Sequence, residues 1–302
     1  MIPDARRHLH VVRPGALTTV QDAGRPGHAH LGVGRAGALD GPAARLANRL
    51  VGNPPDAAVL ETTLTGCAVR PDRPVVAVVG GAGCRVTVDG RPVAWGAPVR
   101  VPAGAVLDAG PAGTGLRSYL AFAGGLAPDP VLGSRSADLL SGLGPAPLGE
   151  GDELPLGEPA SVAPPPAGPV PWPGVPAELV LPVHPGPRHD WFTDAALRTL
   201  LTAAYRVSPQ SNRIGLRTEG PPLERSRTGE LPSEGMVLGA IQVPPDGRPV
   251  VFLNDHPTTG GYPVVGVVPE RALAAAAQAV PGTRLRFVRG SERGSERGSV
   301  RA

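Results

Sequence analysis

The residues richest in possible chemistry lie between 208 and 263, in SPQSNRIGLRTEGPPL and then ELPSEGMVLGAIQVPPDGRPVVFLNDHPTTGGYPVVG. Gln210, Asn212, Arg213, Glu234, Gln242, Asp255, Thr258, Thr259 and Tyr262 stand there among short apolar runs. Polar residues at strand ends beside Gly and Pro are where a scaffold presents a site. The Arg213 guanidinium suits a substrate carboxylate, held bidentately, or a salt bridge to Glu219 or Glu234. Glu234 precedes an apolar strand, where it serves as a base, as a partner for an arginine, or as a turn residue. In Thr258–Pro263 the backbone N–H groups of Gly260 and Gly261 can form an anion-binding nest, the alternative being a tight turn. Asp255 and His256 are neighbours on an extended segment, so their side chains point to opposite faces and do not form an acid–base pair.

A second polar stretch, TTVQDAGRPG, places Gln21, Asp22 and Arg25 beside turn glycines, as a binding loop or as turn chemistry. Other chemistries are excluded. The chain has no lysine, hence no Schiff-base, biotinyl or Walker-type lysine. Gly80-Gly81-Ala82-Gly83 is not a dinucleotide fingerprint, no Gly-x-Ser-x-Gly elbow occurs, and the seven histidines form no HExxH cluster, so no metal site is expected. Two cysteines build neither a disulfide framework nor a zinc site. A net charge of +3, scattered arginines and 3% aromatic residues argue against nucleic-acid binding. No apolar run approaches the ~18 residues of a membrane span, and the first 15 residues lack a signal-peptide core, so a cytoplasmic protein is expected.

The elements that must position these residues are mostly strands. Gly and Pro number 42 and 39 of 302 residues, which disfavours a helical bundle and suits short strands joined by turns. Helices are expected at 40–52, capped by Asp40, at 193–204, capped by Thr193, and at 269–279. Strands are expected at 58–64, 75–80, 84–89, 92–95, 98–101, 104–108 and 116–123. In the second half they are expected at 179–183, 204–207, 214–217, 236–243, 250–253, 264–268 and 283–288. RPG at 13–15 is echoed by HPG at 184–186, and VDGRPV by PDGRPV, which suggests two related β-barrel-like domains. The division is 1–160, a Pro-rich linker at 161–178, a second domain at 179–288, and a low-complexity tail at 289–302 expected to be disordered.

The combined string is more specific than its parts. PGALTTVQDAGRPG, GALDGPAARLANRLVGN, Leu60-Glu61, SYLAFAGG, LGSRSAD and the segments 208–263 resemble, in order, the biotin-dependent carboxyltransferase family, also called KipA or allophanate hydrolase subunit 2. The resemblance covers about residues 10–288. It implies a mainly β fold with a few short helices, arranged as two tandem cyclophilin-like β-barrel domains. It also implies the C component of an ATP-dependent 5-oxoprolinase, a lactam hydrolase active only with a KipI-like B component and a YcsF/LamB-like A component. ATP with Mg would act in that complex. Glu234 or Asp255 would move a proton, and Arg213, Gly260 and Gly261 would hold the anionic substrate. One alternative is the carboxyltransferase component of a urea carboxylase, using biotin not attached to this chain. The other is a KipA-like regulator antagonising a KipI-like kinase inhibitor. The sequence departs from the family pattern at Ala36-Gly37-Ala38-Leu39-Asp40, for Ser-Gly-Ala-Met-Asp, and at Asn254-Asp255-His256-Pro257, for Ala-Asp-Arg-Gln.

Overall fold

A computed structural model describes residues 7–159 and 170–290. The first half supplies β1 (Arg7–Arg13), β2 (Leu17–Gln21), α1 (Gly41–Leu50), β3 (Val59–Thr63), β4 (Cys67–Pro71), β5 (Val75–Val88), β6 (Arg91–Val93), β7 (Val99–Val101), β8 (Leu107–Phe122) and β9 (Glu153–Leu156). The second supplies β10 (Glu178–Pro185), α2 (Asp194–Thr202), β11 (Tyr205–Val207), β12 (Gly215–Glu219), β13 (Glu234–Gly235), β14 (Ala240–Gln242), β15 (Val250–Phe252), β16 (Thr259–Gly260), β17 (Val264–Val267), α3 (Glu270–Ala277) and β18 (Arg284–Arg289). The molecule is mainly β, as expected. β10, β17, β14, β15, β12, β11 and β18 close into a barrel, with β13 and β16 forming a separate two-stranded ribbon. The first half is a nine-stranded sheet, β2-β3-β8-β4-β1-β9, with β5 on β8 and β6 and β7 on β5.

The sequence chooses these elements for identifiable reasons. Asp40 caps α1, accepting a bond from Ala43 N at 3.1 Å, and Thr193 caps α2 through Ala196 N at 3.1 Å. α1 buries Ala43, Ala44, Leu46, Ala47 and Leu50, one face at helical spacing, against Val59, Val78, Tyr119 and Ala121 of the sheet. The other sheet face packs Leu60, Val79, Leu120 and Phe122 into the first-half core. The central strands are therefore buried on both sides, which is why VVAVV is continuous rather than alternating.

Several expectations are corrected. The separate strands at 75–80 and 84–89 form the single β5, and those at 104–108 and 116–123 form the single β8, because irregular pairing between Gly81 and Val86 is absorbed within the ladder. β1, β2, β4 and β9 are not among the expected strands. Arg289 ends β18, and Gly290 N donates to Val183 O at 2.8 Å, so the tail begins later. Its remainder, 291–302, residue 160 and linker residues 161–169 lie outside the described residues. Residues 170–177 lie against the first half: Trp172 donates from Nε1 to Gly96 O at 3.0 Å and packs against Trp95 at 5.5 Å, its ring tilted by 49°. A Cβ on Gly80 would come within 1.9 Å of the Trp172 ring, so a glycine is required there.

Candidate functional site

The two halves meet across a buried polar seam. β3 carries Glu61 and β8 carries Arg117 and Tyr119 on the face turned away from the first-half core. The turn between β11 and β12 delivers Arg213, whose side chain is 1% exposed. Arg213 donates from Nε and Nη2 to the two Asp255 oxygens, both at 2.9 Å, from Nη2 to Gly37 O at 2.8 Å, and from Nη1 to Glu61 Oε1. Glu61 Oε2 also accepts from Leu39 N and Tyr119 Oη, each at 2.9 Å, and Arg117 Nε lies 3.6 Å from Oε1. Gln278, just beyond α3, donates to Asp40 Oδ2 at 2.9 Å and Arg117 O at 3.0 Å while accepting from Leu116 N and Arg117 N.

Burial governs the ionisation of this seam. It raises the Asp255 carboxyl despite Arg213, and raises Asp40 despite the Gln278 bond. It lowers Arg117, with Glu61 opposing. Burial alone would lower Arg213, but Glu61 and Asp255 outweigh it and lift the guanidinium above its ordinary value. Arg213 is thus a permanently charged tie between two carboxylates from different halves.

Beside the seam opens a cleft of about 500 Å³. Its first-half wall is Ala38, Leu39 and the start of α1, with Asp22, Arg35, Arg45 and Asp56. The second half contributes Leu238, Asn254, Glu270 and Arg271. Arg35 Nη2 bonds Glu270 Oε1 at 3.2 Å, whereas Arg45 and Arg271, on α1 and α3, are exposed to the cleft. Clefts between domains with a few converging polar groups are where small molecules bind. A larger groove of about 620 Å³ along β7 and the end of α1 is mostly apolar and brings no comparable cluster together.

The expected site residues fall into four groups. Arg213 and Asp255 lie together in the seam, closed to solvent. Gln21 is fully buried, donating to Thr19 Oγ1 and Ala137 O, and Arg25, 2% exposed, donates to the carbonyls of Val131 and Ser136. Asp22 lines the cleft, but its carboxylate accepts from Gly24 N, Ser134 Oγ, Ser136 Oγ and Arg135 N at 2.6–2.7 Å, fastening the 134–136 loop. Glu234, Thr259 and Gly260 are brought together by the β13–β16 ribbon. Gln242 bonds Tyr262 O at 3.3 Å nearby, while Thr258, Gly261 and the exposed Tyr262 sit on the same loop. Glu234 binds Arg188, whose hydrogen bonds pull its pKa down. Gln210 and Asn212 are on an exposed turn, where Asn212 Oδ1 accepts from Ile214 N at 2.9 Å. Arg213 therefore pairs with neither Glu219 nor Glu234. His256 is buried, stacks on Phe252 at 6.0 Å and has its pKa lowered by that burial.

A family described as the carboxyltransferase domain, subdomains A and B, matches residues 31–289. The chain belongs to this carboxyltransferase family. It is 38% identical to the C component of Escherichia coli 5-oxoprolinase, over 94% of this chain and 91% of that protein. It is 32% identical to urea amidolyase of Saccharomyces cerevisiae, over 93% of this chain but 16% of that protein. Among solved structures, TTHA0988 matches with a TM-score of 0.85 and 38% identity, over 95% of this chain and 57% of that one. The Kluyveromyces lactis urea carboxylase matches with a TM-score of 0.87 and 31% identity, over 95% and 28%. The carboxyltransferase-family chain thus spans just over half or less of these two structures' chains. Among its described residues no helix is long and apolar enough to cross a membrane.

Sequence reasoning gave no site role to Arg45, Glu61 and Tyr119, quoted only within the family motifs, and missed Arg117, Gln278 and the arginines Arg35 and Arg271. A signal existed for Glu61, an acid inside the apolar strand VLETT, but its Arg213 partner lies 152 residues away.

Proposed function

We propose that this chain is the C component of a 5-oxoprolinase-type enzyme that opens the 5-oxoproline lactam to glutamate with KipI-like and YcsF/LamB-like partners. The observation that carries this reading is end-to-end correspondence with the C component of 5-oxoprolinase, against a match to only 16–17% of the urea amidolyases' length.

The cleft is the proposed substrate site. Arg45 and Arg271 approach from different halves and suit the substrate carboxylate, because a guanidinium offers paired donors. Ring opening puts water oxygen on the carbonyl carbon and breaks the C–N bond, and the nitrogen leaves as an amine after taking a proton. The cleft binds and orients the lactam for that step. Its residues do not fit ATP. α1 opens on Gly41-Pro42, Pro42 has no N–H, and Asp40 already occupies Ala43 N. There is no P-loop glycine run and no lysine, so ATP is assigned to a partner and no step here runs through it.

Reconstitution with both partners, followed by 5-oxoproline-dependent ATP hydrolysis and glutamate release, tests the reading. A second reading, carboxyl transfer to urea, is favoured by 33% identity to Lachancea kluyveri urea amidolyase. Carboxybiotin consumption dependent on urea, with no oxoproline turnover, would select it.

A further inference from the structure

We propose that Glu61 and Arg213 are positioning residues that hold segment 36–40, whose Ala38 and Leu39 form part of the cleft wall, between the two halves. The proposal rests on the reading of the cleft as the substrate site. Six of the ten polar backbone groups of segment 36–40 are tied to one half or the other. Ala36 N donates to Asn254 O at 3.1 Å, and Gly37 O accepts from Arg213 and from Asn254 Nδ2. Ala38 N donates to Asp22 O at 3.0 Å, and Ala38 O accepts from Asn254 Nδ2 at 3.0 Å. Leu39 N donates to Glu61, and Asp40 N donates to Tyr119 Oη at 2.8 Å.

The wall also crosses the boundary by packing. Leu39 is 5% exposed and belongs to the second-half core, with Leu181, Leu216 and Ile241, although the chain around it is first-half chain. Gly37, at φ +97°, lies so close to Ala23 and Gly24 that a Cβ would sit 3.0 Å from Gly24 N. Glu61 touches the wall through Leu39 N and the second half through Arg213. Arg213 touches the wall through Gly37 O and the first half through Glu61. The pair therefore couples the position of the cleft wall to the relative position of the halves, although neither side chain lines the cleft.

Such coupling matters because a displaced wall loses contact with bound substrate in the ground state and the transition state alike, which raises KM without touching the chemical step. The test uses the neutral isostere Glu61→Gln, with Arg213→Lys as the second variant, in the reconstituted complex. KM for 5-oxoproline is expected to rise about 10-fold or more while kcat changes less than about 3-fold, the signature of binding lost equally in the ground state and the transition state. Hydrogen exchange of the Leu39 and Asp40 amides is expected to speed up about 10-fold or more, with β5 and β8 amides unchanged. Unchanged KM, or unchanged Leu39 and Asp40 exchange, in a folded variant overturns the proposal. If neither variant folds, wild-type exchange decides. Leu39 and Asp40 amides as slow as those of β3 support a held wall, and amides as fast as that of the exposed Asp246 overturn it. A wild-type complex with no oxoproline turnover would remove the substrate reading instead, and the exchange measurement would then decide the mechanical assignment alone.

Discussion

Replacing Gln278 by Glu changes one atom's chemistry at the crossing point of the two halves. The wild-type amide is 6% exposed, and all four of its hydrogen bonds cross the seam. Glu keeps an acceptor for Leu116 N and Arg117 N but loses both donors. Its second oxygen then faces Asp40 Oδ2 at the former 2.9 Å donor distance. Two buried carboxylates that close cannot both ionise, so one must hold a proton. Asp40 already has its pKa raised by burial, with Gln278 as the chief opposing influence. The lost bonds and the uncompensated buried charge cost about 3–5 kcal/mol at pH 8. At 2–4 °C per kcal/mol the melting temperature falls by roughly 6–20 °C. The folded pair binds a proton more tightly than the unfolded chain, so stability falls as pH rises through the raised folded pKa. Calorimetry should therefore find Gln278→Glu much closer to wild type at pH 5 than at pH 8. A variant melting within about 2 °C of wild type at pH 8, or one more destabilised at pH 5, would refute the reasoning.

Other consequences are as concrete. Arg45→Ala and Arg271→Ala should each raise KM for an anionic substrate about 10- to 100-fold, the loss of a charged hydrogen bond, while leaving melting unchanged. Cys67 is buried with its thiol pushed up to about 12, so iodoacetamide at pH 8 should leave it unmodified in the native protein, as mass spectrometry of digests would show. Trp172→Ala removes a half-buried ring from its seat on Gly80 and Gly96 and should cost about 2 kcal/mol in a denaturant titration.

Much of the fold is written locally. Asp40 and Thr193 announce their helices, and the apolar spacing of 39–50 marks the face that α1 buries. Gly and Pro composition predicts a strand-rich chain. β2 and β4 are less visible because LTTVQ and CAVRP show little alternation, and β1 and β9 because the alternating runs HLHV and ELPL are short and lie among Arg, Gly and Pro. Such strands are defined by their partners more than by their own residues. The site is legible as a segment but not as an arrangement. Arg213 and Asp255 stand out by type, yet their closure from solvent depends on Glu61, brought by a strand from the other half. Asp22 and Arg25 read as binding residues because turn glycines surround them, whereas their bonds fasten the 131–136 loop. Arg45 and Arg271 sit on helices with nothing in local sequence to mark them, and only the docking of the halves turns both toward one cleft.

The most direct measurement is co-expression with the KipI-like and YcsF-like partners, followed by assay of 5-oxoproline-dependent ATP hydrolysis and glutamate release with and without this chain. Turnover that disappears when the chain is omitted, and that loses substrate affinity in Arg45→Ala and Arg271→Ala, is the expected result. A well-formed complex that releases no glutamate from 5-oxoproline would contradict it.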